Sequence, residues 1–275
     1  METTLRTPSS ILGFTVIEIL MVLTLVGILA AIGIDSLGQS SDQAKFDETV
    51  HRMEQILHAM IGDPVIREGG ARTNFGFLGD IGSTPTAAQG IAGLIVNPGL
   101  PAYSVNTAAR IGIGWNGPYL SSSSSGIPPG QDAWGRAFIY TPSPAPPILR
   151  SLGADGSVGG TGFSQDITYV LSNESRVGTV YGFLCETGGP FMGPNAEIEL
   201  NHPDGSGAIT SPTVLLVPAV KGAFNFPNVP FGVRSITAYI PNKATATPAN
   251  TYGPVLFSLD QPNFVLPCAR LDIAP

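Results

Sequence analysis

Charge and cysteine are scarce in this chain of 275 residues. Only 12% of the residues are charged, and 20 acidic side chains outnumber 13 basic ones, which gives a net charge of −7 at pH 7. Because no basic surface can neutralise phosphates, nucleic acid is not expected as a partner. The two cysteines, Cys185 and Cys268, show no CxxC spacing. A structural zinc site is therefore not expected either.

Motifs of the common enzyme classes are also missing. The sequence contains no nucleophile elbow, zinc-protease motif or Walker loop, and residues 202–205 (HPDG) are typical of a turn. His51 and His58 lie seven residues apart, whereas a metal pair on a helix is expected at i and i+4, so solvated positions are favoured. We expect that the chain is not an enzyme.

Glycine and proline, by contrast, are abundant. The chain has 34 Gly and 25 Pro, and 43% of its residues are hydrophobic. This length predicts one or two domains with a sizeable core, and the composition predicts short strands separated by many turns.

The longest apolar run covers residues 14–34, in which Glu18 is the only ionisable side chain. About 20 residues span the hydrocarbon core of a bilayer as a helix, whereas the apolar part of a signal peptide has about 7–15. The run therefore predicts a transmembrane helix. A carboxylate inside it costs about 2.5–3.5 kcal/mol unless a partner neutralises it.

Residues 13–18 (GFTVIE) indicate a further role for this apolar run. They resemble the class III leader junction of type IV pilins and type II secretion pseudopilins. The resemblance implies that a prepilin peptidase cleaves between Gly13 and Phe14 and methylates the amino group of Phe14. It also implies that Glu18, then the fifth residue, faces the amino terminus of a neighbouring subunit, since a buried carboxylate is tolerated when paired. The alternative is a plain membrane anchor with an incidental Glu.

An amphipathic stripe follows the apolar run. Its apolar residues Phe46, Val50, Met53, Leu57 and Met60 recur with spacings of 4, 3, 4 and 3, and Pro64 follows closely. This pattern predicts that one helix extends over residues 14–61 and packs its second half on a globular head.

Four phrases in the middle of the chain resemble one pilin subgroup, the major pseudopilins of type II secretion. They are "GSTPTAAQGIAGLIVNP" (82–98), "GWNGPYL" (114–120), "DAWGRAFIY" (132–140) and "SLGADGSVGGTGFSQDITY" (151–169). The resemblance implies a homopolymeric filament that works with minor pseudopilins and an inner-membrane assembly platform. It also implies contact with the lipid bilayer before assembly, and a globular part in the periplasm. From the residues, we expect a short helix near 85–96 and strands at 137–140 and 167–171.

The glycine-rich loop at 153–162 has two interpretations. The family binds calcium here, and the resemblance would assign Asp155, Asp166 and the carbonyl of Leu152 as ligands. Clustered oxygens on a turn suit a hard cation, but only two carboxylates are present. The alternative is a glycine-built turn in which Asp155 hydrogen-bonds to its own backbone.

About 100 residues follow this loop. Their turns recur roughly every ten residues, which predicts a β-sandwich. The stretches 180–210 and 222–242 resemble the carboxypeptidase regulatory-like (transthyretin-type) fold, which implies a structural or interaction module. In an oxidising compartment Cys185 and Cys268 would form a disulfide that stabilises by about 4 kcal/mol, and two buried free thiols are the alternative.

Together these features predict an α+β chain with a long N-terminal transmembrane and amphipathic helix, a small antiparallel-sheet pilin head and an all-β sandwich. The expected divisions are a leader at 1–13, a helix at 14–62 (transmembrane 14–34), a pseudopilin domain at 63–176 and an extension at 177–275. The expected function is that of a pseudopilus subunit supporting protein export across the outer membrane. The alternative is a pilin-like adhesin, or a minor or tip subunit, that binds through the extension.

Overall fold

The computed structural model describes residues 14–121, 128–142, 146–186, 189–191, 193, 195–216, 222–268 and 272–273. For residues 30–37, 215–216 and 272–273 it describes the backbone alone. Below, residues 63–176 are called the head region and residues 177–273 the C-terminal unit.

The longest element is helix α1, Val16–Ile61. Thr15 caps its start, and Gly62 ends it in a backbone conformation with φ of 81°. Further extension is blocked by Pro64, since proline lacks the amide hydrogen that a helix needs. On the second half of α1, Met53, Ile56 and Met60 have no exposed surface.

Helix α2, Gly76–Ile81, is short and contains two glycines. A Cβ atom at Gly76 would lie 2.6 Å from the carbonyl oxygen of Ala59, so glycine allows α2 to approach the backbone of α1 closely. Where a helix near 85–96 was expected, the structure has a 3-10 helix, Ile91–Leu94. Further 3-10 helices are Gly162–Ser164, Asn173–Ser175 and Pro248–Asn250.

In the head region the described strands form small sheets, with orders β1-β2, β3-β4 and β5-β6-β7. These strands are β1 (Arg67–Glu68), β2 (Ala71–Arg72), β3 (Ser104–Asn106), β4 (Ile111–Ile113), β5 (Ile139–Thr141), β6 (Ile148–Ser151) and β7 (Ile167–Val170). All neighbouring strands in these sheets are antiparallel.

The C-terminal unit has longer strands. They are β8 (Val177–Phe183), β9 (Cys185–Glu186), β10 (Gly189–Pro190), β11 (Ala196–Pro203), β12 (Ile209–Thr210), β13 (Thr213–Leu216), β14 (Ala223–Pro230), β15 (Gly232–Tyr239), β16 (Thr251–Leu259), β17 (Asn263–Leu266) and β18 (Asp272–Ile273). The sheets have the orders β14-β8-β17, β12-β11-β15-β16 with β13 also paired to β11, and β10-β9-β18.

Within the described residues, two apolar clusters form the core. The first joins residues of α1, α2 and the head region, including Met53, Phe77, Ile81 and Leu149. The second lies between the two larger sheets of the C-terminal unit, where Val180, Phe226, Ile198 and Ile236 meet. It also takes in Phe75 and Leu78, which lie at the N-terminal end and on one side of α2. Helix α2 therefore contributes side chains to both clusters.

These observations correct the predicted fold class. Within the described residues no helix is both long and apolar enough to cross a membrane, so the predicted transmembrane helix at 14–34 is wrong.

The strands also differ from the expected small antiparallel-sheet head followed by an all-β sandwich. The described part of the chain is a mixed α+β structure with many small sheets. Frequent Gly and Pro residues end most strands after two to four residues, because proline cannot donate to a ladder and glycine favours turns.

Candidate functional site

The N-terminal half of α1 presents an apolar surface to solvent. Its large apolar side chains from Phe14 to Leu29 are all at least half exposed, and Phe14 is 78% exposed. Full burial of such a side chain is worth about 1.5–3 kcal/mol, and contiguous apolar surface marks an interaction site. This surface, residues 14–29, is called the apolar end of α1.

Glu18 caps the helix on which it lies. Its Oε2 accepts a hydrogen bond from the backbone nitrogen of Thr15 at 3.4 Å, and its own backbone nitrogen donates to Thr15 Oγ1 at 3.3 Å. Sequence reasoning missed this capping box, although Thr15 followed three residues later by Glu18 is its signature. The predicted cleavage partner Gly13 lies outside the described residues, and Phe14 is the first residue within them.

Of the two predicted calcium carboxylates, Asp155 lies within the glycine-rich loop and Asp166 lies four residues beyond its end. The loop is closed by the backbone bonds from Ala154 to Phe163 and from Asp166 to Gly159. Asp155 is exposed, and its Oδ1 accepts from the backbone nitrogen of Ser157 at 2.9 Å.

Asp166 is more buried than Asp155. Its Oδ2 is 3.9 Å from Arg150 Nη1, while its Oδ1 is buried and has no hydrogen-bond partner. An unpartnered buried carboxylate oxygen suits a hard cation. Across the described residues, however, no three His, Cys, Asp or Glu side chains converge as metal ligands do.

The turn at 132–136 (DAWGR) supports this loop and was assigned no role from the sequence. Asp132 has no exposed surface, and its carboxylate accepts from the backbone nitrogens of Trp134 and Arg136 and from Ser151 Oγ at 2.8–3.0 Å. Arg136 Nη1 in turn donates to the carbonyl of Gly153 at 2.8 Å. An Asp followed by Gly135 at φ of 82° was the available turn signal.

The histidines of α1 do not converge on each other. His51 Nε2 lies 3.0 Å from Gln55 Nε2, and His58 Nδ1 lies 4.0 Å from Asp63 Oδ2.

In the C-terminal unit, Cys185 and Cys268 form a disulfide with their Cα atoms 5.6 Å apart. The bridge closes a loop between residues 83 positions apart in sequence. It lies beside the parallel pairing of β9 with β18.

Helix α2 is bound to the C-terminal unit through its last turn, a contact called the α2 junction below. Arg234 Nη1 donates to the carbonyl of Gly79 at 3.1 Å, and the backbone nitrogen of Gly205 donates to the carbonyl of Ile81 at 2.8 Å. No local sequence signal indicates these contacts, because 155 positions separate Arg234 from Gly79.

Comparison with known protein families gives a match for the middle of the chain. Residues 76–170, which run from α2 through β7, match the family model described as type II secretion system (T2SS), protein G. No curated protein and no solved structure matches the chain. The family match supports a pseudopilin-like protein with a role in type II secretion, assembled with other components of that system.

Proposed function

We propose that this chain is a structural subunit of a type II secretion pseudopilus. The match of residues 76–170 to protein G of that system carries the proposal. In this proposal a prepilin peptidase cleaves after Gly13 and methylates Phe14, and copies of the chain polymerise with minor pseudopilins on an inner-membrane platform. The head region and the C-terminal unit lie in the periplasm, where the Cys185–Cys268 disulfide suits an oxidising compartment.

The apolar end of α1 supports assembly through this helix. Copies related by a repeated, non-closing contact form a filament, and stacking the apolar ends would bury side chains that a single chain leaves exposed. A charge placed there would have to be buried in the polymer, so Val22→Asp should abolish fibres.

The control for this test is Ser41→Asp, which adds the same charge to an exposed position farther along α1. Fibre yield after shearing from cells is the measurement, with circular dichroism to show that both variants fold. Normal fibres in Val22→Asp would contradict assembly through the apolar end.

Within this assembly Glu18 pairs with the amino terminus of the neighbouring subunit. Glu18→Gln separates that role from capping, because Gln also serves at the third position of a capping box. We expect Glu18→Gln to be cleaved normally but to assemble poorly. Glu18→Ala, which loses the cap as well, should also melt earlier. Normal assembly of Glu18→Gln would exclude the charge pairing.

Calcium binding by the glycine-rich loop is part of the same proposal, with the carbonyl of Leu152 and the carboxylates of Asp155 and Asp166 as ligands. The buried, unpartnered Oδ1 of Asp166 supports it, since a bound cation would satisfy that oxygen. The cation would also tie the two ends of the loop together.

Thermal melting in Ca²⁺ and in chelator tests the calcium site. Calcium at about 100 times its dissociation constant stabilises by about 2.7 kcal/mol. We expect a higher melting temperature of the wild type in Ca²⁺ and no such shift in Asp166→Asn. Asp63→Asn, outside the loop, should keep the shift. A wild type that melts identically in both conditions has no such site.

A second candidate function is recognition of an exported protein or a surface by the C-terminal unit, as an adhesin or a minor or tip subunit. An exposed apolar patch on the β14-β8-β17 sheet favours it. Tyr181, Phe183 and Val265 are 41%, 47% and 63% exposed, and Tyr181 pairs directly with Val265 across β8 and β17. If Tyr181→Ser with Phe183→Ser leaves fibres intact but removes export or adhesion, recognition is supported.

A further inference from the structure

One face of the largest sheet of the C-terminal unit is polar and yet buried. Along β11 and β15, Ile198, Leu200 and Ile236 point into the apolar cluster. On the opposite face Glu199, Asn201 and Thr237 are only 5%, 3% and 4% exposed. The second face of such a sheet usually meets water. Here it meets a cavity, which the turn after β3 helps to cover.

The cavity has a volume of about 260 Å³ and is called the polar cavity. Its polar lining comes mainly from one sheet face, together with a lysine beyond the end of β15 and an asparagine of the head region. The polar lining residues include Asn106, Glu199, Asn201, Thr237, Tyr239 and Lys243. Sites for small ligands commonly lie between two parts of a protein, and this one lies between the head region and the C-terminal unit.

Some of the polar side chains that line the cavity have donors or acceptors that other parts of the protein do not fully satisfy. Asn201 Oδ1 accepts from Ser211 Oγ at 2.7 Å, but Asn201 Nδ2 reaches Ser235 Oγ only at 3.4 Å. The hydroxyl of Thr237 makes no hydrogen bond with any described residue. Among the described residues the Thr237 oxygen is not one of the fully buried unpartnered side-chain atoms, so it keeps access to the cavity and can donate to a ligand there.

The charges of the polar cavity balance each other. Glu199 Oε2 is paired with Lys243 Nζ, and Glu199 Oε1 accepts from the hydroxyl of Tyr239 at 3.3 Å. Each carboxylate oxygen has a further lone pair, and the lysine ammonium has further protons to donate. The cavity therefore offers both acceptors and donors without net charge, which favours a neutral ligand rich in hydroxyl groups.

The size of the polar cavity and its apolar lining further restrict which ligand it can bind. Pockets for drug-sized ligands have volumes of about 300–1,000 Å³, so this cavity suits a ligand of about one ring. Apolar contacts come from Ala109, Ile209 and Pro254, which suit the carbon–hydrogen face of such a ring.

We propose that the polar cavity binds a single neutral sugar residue, with Glu199 and Asn201 accepting from its hydroxyls and Thr237 and Lys243 donating to them. The site is complete in one copy of the chain. It does not depend on fibre assembly, so failure of either proposal leaves the other standing.

Saturation-transfer NMR with the full chain tests the proposal, using D-glucose, D-galactose and N-acetyl-D-glucosamine as probes at about 10 mM, since weak single-ring ligands bind in the millimolar range. We expect at least one sugar to bind the wild type. Thr237→Val keeps the shape and removes the free hydroxyl, and should weaken binding about 3- to 10-fold. Thr213→Val, the same change at an exposed position on β13, should bind like the wild type.

Lys243→Met provides a second variant at the partly exposed rim and should weaken binding by at least as much. If Thr237→Val does not fold, Lys243→Met alone tests whether the polar cavity binds the sugar. Absence of binding by all three sugars overturns the proposal. So does binding that both cavity variants leave unchanged.

Discussion

At the scale of single residues, Asp80 and Arg234 place two charges in a region with little access to water. Arg234 has no exposed surface, and burial lowers its pKa to about 9, so it remains a cation at pH 7. Its guanidinium donates to the carbonyls of Pro230, Phe231 and Val233 as well as to Gly79. Asp80 accepts from the hydroxyl of Tyr119 at 2.9 Å, and Arg234 is the cation that favours its charged form.

Asp80 is expected to make the stability of the folded state depend on pH. Burial raises the pKa of Asp80 from 3.8 to about 6, and the Tyr119 hydrogen bond and Arg234 only partly oppose this. Between these pH values the folded state holds the proton more tightly than the unfolded state. The Asp80 contribution therefore favours folding most at low pH and declines as pH rises through 6, by at most about 3 kcal/mol.

Asp80→Asn should remove this contribution, because Asn does not titrate and its Oδ1 can still accept from Tyr119. The measurement is the free energy of unfolding from pH 4 to 7.5 by denaturant titration, compared with Glu68→Gln on exposed strand β1. The difference in the free energy of unfolding between wild type and Asp80→Asn should change with pH over this range. A constant difference for both variants would rule out Asp80 as the titrating group.

At the scale of elements, the sequence predicts those whose signals are local. The helix expected at 14–61 is observed as Val16–Ile61, because the apolar run, the amphipathic stripe and Pro64 are all local signals. The strand expected at 167–171 is observed as Ile167–Val170. Helix α2 was missed, since Gly76 and Gly79 are poor helix formers and the helix is stabilised by contacts with distant parts of the chain.

The candidate sites, like the elements, were predicted only where their signals are local in the sequence. The segment carrying Asp155 and Asp166 was located from a recognisable run of residues. The contacts of Arg234 with α2 and of Thr237 with the polar cavity depend on how remote segments pack. No pattern within a few residues of either position indicates them.

The end of α2 provides an element-scale prediction. Gly82 has φ of 91°, and a Cβ atom there would overlap the carbonyl oxygen of Pro203. Gly99 has nearly the same φ of 93° but open space around it. Gly99→Ala should cost about 1–2 kcal/mol, the ordinary strain of this backbone conformation, whereas Gly82→Ala should cost clearly more because the α2 junction must also shift.

Denaturant unfolding of the two glycine variants measures this difference. Hydrogen exchange at Gly205, whose amide donates to Ile81, shows whether the junction itself opens. Equal losses of stability in the two variants would show that α2 is not held tightly against β11.

At the scale of the whole molecule, the C-terminal unit is packed into the head region through α2. Phe75 and Leu78 lie in the apolar cluster of the C-terminal unit, while Phe77 and Ile81 lie in that of the head region. The predicted division at 176/177 treats the two parts as separable domains. Shared side chains, the buried Arg234 and the Gly205 bond instead predict cooperative folding.

Removal of residues 177–275 tests this cooperativity. It exposes Phe75 and Leu78 and leaves the carbonyls of Gly79 and Ile81 without their donors, so we expect the shortened chain to lose its cooperative melting transition. The measurement is thermal melting followed by circular dichroism and tyrosine fluorescence, in a mild detergent that covers the apolar end of α1.

The matched variant is the same shortened chain with Phe75→Ser and Leu78→Ser, which makes the exposed side of α2 polar. If the shortened chain fails to fold mainly because apolar side chains of α2 are exposed, this variant should regain a cooperative melting transition, at a lower temperature than the full chain. A shortened chain that melts at the temperature of the full chain would mean that the head region folds alone. The family match ends at residue 170. If the shortened chain melts like the full chain, the C-terminal unit is a separately folded addition to the family's part of the chain. If the shortened chain does not fold, the C-terminal unit is part of the subunit's core.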